Sequence, residues 1–241
     1  MDCNKLSAET RRLWERLEDE PLLAGFVLIG GTALTLRIAH RISEDLDFAY
    51  LGDLLPRPRI KKLIQHLGRD GFLFTPNQDT IAAEEFFDSG LDLDEHQQNY
   101  VTDTHVKVSF IRLDNVATNC LSGSIDSTLR VATLDEVFKT KSLVCAHLSK
   151  SRDWFDIYIL LTRHGYTLGD MQQVFLDSGN ANGFDIASSR LRICKFSLED
   201  EGYAQLTDDG PTLDDLRAFF SEQLDKFEEE QAKKAFKAQK K

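Results

Sequence analysis

Asp45-Leu46-Asp47, two carboxylates separated by one apolar residue, is the part of this chain best suited to chemistry. Side chains alternate along a strand, so a strand over 45–49 turns Asp45 and Asp47 to one side and sends Leu46 and Phe48 into a core. Two acids aimed at one point repel each other unless a cation lies between them. One short helix earlier stands Gly30-Gly31-Thr32, between the apolar run Phe26–Ile29 and a helical segment. Glycine lets a ligand approach the backbone, and amides opening a helix bind anions, with the Thr32 hydroxyl as a further donor. Taken singly, the acids read as solvated groups on a surface strand and the glycines as a tight turn. Side by side in residues 26–48 they outline a phosphate cradle next to a cation site. The sequence has no GxxxxGK[ST], and GGTALT lacks GxGxxG, so the turn is neither a P-loop nor a dinucleotide fingerprint.

Further candidates lie downstream. On a helix over 134–149, Leu134, Val137, Phe138, Val144, Cys145 and Leu148 form an apolar stripe with Lys141 in its middle. A lysine there either snorkels out or meets an anion, and a nucleotide phosphate would serve. Lys139 falls off the stripe. In the next helix Arg152, Asp153 and Asp156 share a side, although acids in a first turn also suit the helix dipole. His40 and Arg41 are expected to end the helix of the first motif, where cations suit the dipole. The remaining histidines show no ligand spacing, and no Ser/His/Asp or Cys/His nucleophile set is present.

The elements that must position these residues can be read in order. A helix over 6–18 carries Leu6, Leu13, Trp14 and Leu17 on one side and stops at Pro21. The strand–helix–strand unit follows: Phe26–Ile29, a helix to about Arg41, then Asp45–Ala49. A helix is expected at 59–68 and a strand at Phe72–Phe74; residues 76–100 are polar and acidic and suggest no element. Alternation predicts one strand from Val101 to Leu113, with Val106, Val108 and Phe110 opposite Lys107, Ser109 and Ile111. After Leu129–Val131, Thr133 and Glu136 make a capping box. Helices are expected at 151–163, 167–177 and 185–193, and Leu213, Leu216, Phe220, Leu224 and Phe227 recur at helical spacing. The tail QAKKAFKAQKK holds five lysines and no acid: a solvated helix end or a surface for RNA or a partner. The shift to nearly pure helix after residue 131 suggests domains at 1–131 and 132–241.

The chain has 241 residues, 41% hydrophobic and 29% charged, as in ordinary soluble globular proteins. A net charge of −11 argues against the bulk surface being a nucleic-acid footprint but leaves room for a local basic groove. Cys3, Cys120, Cys145 and Cys194 form no CxxC pair, which disfavours zinc or a disulfide framework. No signal peptide and no transmembrane run is visible, so a reducing cytoplasm is the expected location.

GGTALTLRIAHRISEDLDF resembles the first motif of the AbiEii/AbiGii-type nucleotidyltransferases, the toxin halves of type IV (abortive-infection) toxin–antitoxin pairs. Lys107 on a strand, Lys141 in a helix and RDWFDIYIL from Arg152 follow in the family's order, so the resemblance covers roughly residues 25–165. It implies an α+β, polymerase-β-like nucleotidyltransferase core with a mixed sheet, followed by a helical domain. It implies Asp45 and Asp47 as ligands of Mg²⁺ (or Mn²⁺), and Asp45, Asp47, Lys141 and Asp156 as the catalytic set. Gly30, Gly31, Thr32 and Ser43 would bind nucleotide together with Lys107, Lys141, Arg152 and Asp153. The implied reaction moves NMP from an NTP to a hydroxyl acceptor, with RNA or tRNA a candidate and an antitoxin protein a candidate partner. One departure matters. Many nucleotidyltransferases carry a third carboxylate two residues after a strand lysine, and here that residue is Ser109. The alternative is therefore a catalytically weak or silent nucleotide-binding module acting through a protein partner.

Overall fold

A run of Phe, Val, Leu and Ile with no charge packs best as an interior strand, and here it lies inside the sheet, one strand in from a short edge strand. The computed structural model describes residues 3–147, 150–195, 200, 202 and 210–239. Helix α1 (Ala8–Leu17) precedes strand β1 (Phe26–Ile29), helix α2 (Gly30–Ile38) and strand β2 (Leu46–Tyr50). Then come α3 (Arg57–Arg69), β3 (Phe74–Pro76), α4 (Thr80–Asp88), β4 (Gln97–Thr102), β5 (Lys107–Arg112), α5 (Asn115–Thr118) and β6 (Arg130–Val131). The strands form one mixed sheet in the order β3-β4-β5-β2-β1-β6. β1 runs antiparallel to β2 and parallel to β6, while β2 is parallel to β5.

The sheet has an aromatic face that anchors it. Phe48 stacks on Phe110 at 5.6 Å, Phe26 meets Phe110 edge-on at 5.6 Å, and Phe26 tilts against Tyr50 at 4.8 Å. From α3 the Arg59 guanidinium lies over both Phe26 and Tyr50, a cation–π arrangement that lets a charged group cover an apolar face. Every alternate residue of β2 therefore faces inward, which fixes its register and turns Asp47 to the opposite face.

Two compact units divide the chain, Met1–Val137 and Phe138–Lys241. The division falls within α6 (Leu134–Cys145), some way past the expected boundary at 131, because β6 and the first turn of α6 are tied to the sheet unit. The expected capping box is present: the Thr133 amide donates to Glu136 (2.7 Å) and the Glu136 amide to the Thr133 hydroxyl (3.2 Å). The second unit continues with α7 (Ser151–Arg163), α8 (Leu168–Asp177), α9 (Ala181–Ile193) and α10 (Leu213–Gln239). Its core includes Trp154, Phe155, Ile157 and Leu160 of α7 with Leu216, Phe220 and Leu224 of α10. Each such side chain contributes roughly 2 kcal/mol of burial.

Several expectations are corrected. The strand expected over 101–113 is a hairpin: β4 ends at Thr102, His105 takes φ 67° in the turn, and β5 begins at Lys107. The third strand begins at Phe74 rather than Phe72. α2 stops at Ile38 because Ala39 adopts a left-handed conformation (φ 49°), so His40 and Arg41 lie outside the helix. α6 ends at Cys145 and Val144 is exposed; Leu148 and Ser149, like Lys240 and Lys241 of the tail, lie outside the described residues. Cys3, Cys120, Cys145 and Cys194 form no disulfide among the described residues, and burial raises the pKa of both Cys145 and Cys194.

Candidate active site

β1 delivers the chain to a sharp turn at Gly30, whose φ of +71° is a conformation that suits glycine. A β-carbon there would lie 2.9 Å from Asp47 Oδ2, so the glycine turn and the second aspartate are in direct apposition. The antiparallel register gives the same result from the backbone: Ile29 pairs with Asp47. β2 begins at Leu46, so Asp45 lies just before the strand expected over 45–49, its carbonyl taken by Thr32. Asp45 and Asp47 are half-buried while Leu46 and Phe48 are fully buried, the alternation of burial the sequence predicts. The residue preceding α2, Ile29, supplies no side-chain cap. The first amides of α2, those of Gly30 and Gly31, thus keep the donor character of a helix N-terminus.

Three buried threonines brace the loop that leads to the aspartates. Thr10 Oγ1 of α1 donates to the Glu44 carbonyl (2.7 Å), Thr35 Oγ1 to the Arg41 carbonyl (3.1 Å), and Thr32 Oγ1 to the Asp45 carbonyl. Ser43 Oγ sits 2.7 Å from Thr32 Oγ1, and the Ser43 backbone is bonded to Lys5 and Ser7. Thr32 and Ser43, expected at the nucleotide, are both buried, and in the structure their hydroxyls hold the loop. A residue the sequence reading assigned elsewhere also enters here. Arg41 is buried, its Nη1 donates to the Ile42 carbonyl (3.0 Å), and its guanidinium lies where a side chain on residue 31 would be. That contact is one reason for glycine at 31, and it sets a fixed positive charge beside the phosphate-type turn. Only the conjunction of a second glycine with an arginine ten residues on could have signalled it.

On the neighbouring strand Ser109 pairs with Asp47, and Asn99 of β4 pairs with Ser109. The row across this face reads Asp47, Ser109, Asn99, so a hydroxyl stands beside the aspartate. The two nearby acids are elsewhere: Asp114 caps α5 (Ala117 amide to Oδ1, 2.7 Å), and Asp103 lies in the hairpin turn. Lys107 is exposed at the start of β5. Among the described residues no group of three or more His, Cys, Asp and Glu converges as a ligand set. Carboxylates such as those of Asp45 and Asp47 are hard oxygen donors of the kind Mg²⁺ accepts, and the space left by the missing β-carbon of Gly30 lies against Asp47.

The helical unit holds its own charged cluster. Lys141, 8% exposed, reaches Asp153 Oδ1 at 2.5 Å and Asp156 Oδ2 at 2.9 Å, and Asp156 is fully buried. The anion expected for Lys141 is thus supplied by the chain itself. Asp153 also accepts from the Lys150 amide (2.9 Å), while Arg152 Nε donates to the Gly202 carbonyl (3.0 Å). Asp200, which no sequence pattern pointed to, caps α7 by accepting from the Ser151 amide (2.6 Å) and hydroxyl (3.0 Å).

Comparison with known proteins identifies the chain's relatives. The family described as "Nucleotidyl transferase AbiEii toxin, Type IV TA system" matches residues 12–240. The chain belongs to this AbiEii family. It is therefore a nucleotidyltransferase by family, and the mixed sheet followed by helices is the fold class expected from its sequence. An uncharacterized protein of Aquifex aeolicus (strain VF5) is 25% identical over 174 residues, 70% of this chain and 74% of its own length. Two crystal structures are also similar. One, from H. pylori and carrying a provisional nucleotidyltransferase assignment, covers 92% of this chain and 96% of its own at 20% identity, with a TM-score of 0.49. The other, JHP933 from Helicobacter pylori, covers 98% and 100% at 19% identity, with a TM-score of 0.47. Among the described residues of this AbiEii protein no helix is long and apolar enough to cross a membrane.

Proposed function

We propose that the chain transfers a nucleoside monophosphate from an NTP to a hydroxyl acceptor and releases pyrophosphate. The observation that carries this reading is the apposition of Gly30 to Asp47 at the uncapped start of α2. The Gly30 and Gly31 amides bind the triphosphate, and Arg41 adds positive charge behind them. Asp45 and Asp47 are the residues that would hold Mg²⁺ (or Mn²⁺), which when bound neutralises charge developing on the phosphates. Thr10, Thr32, Thr35 and Ser43 act as positioning residues, fixing the loop so that the two carboxylates keep one geometry. The acceptor oxygen attacks the α-phosphorus in line, the bond to pyrophosphate breaks, and the acceptor's proton passes to water or to the departing pyrophosphate. A type IV toxin family suggests an antitoxin as partner, and RNA, including tRNA, is the acceptor class to try first, as the first-motif resemblance implies.

A second reading rests on a specific observation. Ser109, paired with Asp47, offers no general base where a third carboxylate would stand, which favours a module that binds nucleotide without turnover. Calorimetry with each NTP and Mg²⁺, run beside a pyrophosphate-release assay with total tRNA, separates the two. The transfer reading expects binding and release together; binding with no release for any NTP would leave the silent module.

A further inference from the structure

Helix α4 buries none of its residues, although its sequence, TIAAEEFFD, is half apolar. Ile81 is 70% exposed, Phe87 80%, and Leu91 just beyond the helix 50%. Phe87 and Leu91 border a groove of about 630 Å³ whose rim carries Asp92 and Glu95. Scattered single apolar residues on a surface need no explanation, but three together on one short helix and its exit mark a contact surface. The electrostatics say what kind of occupant fits. No lysine or arginine occurs between Arg69 and Lys107, while α4 itself adds Glu84, Glu85 and Asp88. Arg57 reaches in from α3 to pair with Asp92 (2.6 Å) and Asp94 (3.5 Å), which leaves the acids of α4 outside that pairing. The occupant is therefore amphipathic and basic.

The chain itself contains such a segment. α10 runs to Gln239, but the side chains it buries completely end at Leu224. Beyond Phe227 nearly every described position is exposed, including Lys233, Lys234 and Lys237, with Phe236 60% exposed among them. Lys233 pairs with Glu229 one turn back (2.7 Å), a fully exposed contact that water and salt screen and that is easily exchanged for another acid. A terminal stretch of helix whose side chains are exposed gains little from packing and is marginal in water, so a surface that covers it also stabilises it.

We propose that the lysine-rich end of α10 from a second copy docks on the acidic, apolar surface of α4. If the contact is reciprocal it closes as a two-fold dimer. Sedimentation velocity on the full chain over a range of concentrations tests this. A concentration-dependent dimer is expected, with an association constant that falls at least about tenfold between about 0.1 M and about 1 M salt, as screening shortens from about 10 Å to about 3 Å. K233E/K234E/K237E and E84K/E85K/D88K should each be monomeric, with thermal melts close to the parent because all six positions are exposed. Mixed together, the two charge-reversed variants should associate again, since the reversed tail now fits the reversed surface. A monomer at every concentration, or a dimer unaffected by either set of substitutions, overturns the proposal, as does failure of the mixed variants to associate.

Discussion

Gly30 carries more of the site than its size suggests. Its φ of +71° excludes an ordinary side chain at a cost of about 1–2 kcal/mol, and the space beside it is claimed by Asp47 Oδ2. Gly30→Ala is expected to lower the melting temperature by a few degrees, yet to cut nucleotidyl transfer by roughly a hundredfold, because a carboxylate displaced by even an ångström loses its alignment. Transfer of labelled NTP measured beside a thermal melt checks both halves; a variant with full transfer would show that the apposition is incidental. At this scale the sequence was legible where residue type alone decides. Asp-Leu-Asp after a glycine turn announces itself. Arg41 did not, because its placement depends on where α2 stops, and the left-handed Ala39 that stops it is no glycine or asparagine.

Among the elements, the junction of β6 with α6 is held by one acid. Glu136 accepts from Arg130 (2.7 and 2.9 Å), from the Ser122 amide and hydroxyl (both 2.7 Å), and from the Thr133 amide (2.7 Å). Burial alone would raise its pKa, but Arg130 and the Ser122 and Thr133 donors outweigh burial and bring it down to about 2. A depressed carboxylate stabilises the fold above its ordinary pKa of 4.5, and that contribution is lost as pH falls through about 2. Glu136→Gln should therefore destabilise the protein by roughly 2–3 kcal/mol at neutral pH. Denaturant titrations should show the gap between parent and variant narrowing once pH drops below about 4.5; a gap independent of pH would contradict the assigned role. Half of this junction was readable, since Thr133 and Glu136 have capping-box spacing. Arg130 and Ser122 were not, for they reach Glu136 through loop geometry that leaves no period in the sequence. The same limit explains the hairpin at 103–106. Its turn is Asp-Thr-His, without the glycine or proline that would have broken the alternation of Val101–Leu113.

For the molecule as a whole, alternating strand and helix give way to helices, and the β1–α2–β2 unit matched its sequence reading closely because burial and backbone demands coincide there. What sequence could not supply was the use of the charged residues in the helical unit. Lys141, Asp153 and Asp156 stood out as chemistry-bearing types, and in the structure they neutralise one another in a buried cluster. A lysine on an apolar stripe signals an anion, but not whether that anion belongs to a ligand or to the protein. The proposed chemistry therefore rests on the sheet unit, with Asp45 and Asp47 supporting nucleotidyl transfer. The most direct test is transfer of α-labelled NTP to total tRNA in the presence of Mg²⁺ by Asp45→Asn, in parallel with the parent and with circular dichroism of both. The predicted result is loss of transfer by at least about a hundredfold with the fold retained, since Asp45 is half-buried and it is its backbone carbonyl that accepts from Thr32. Undiminished transfer by the folded variant would contradict the account.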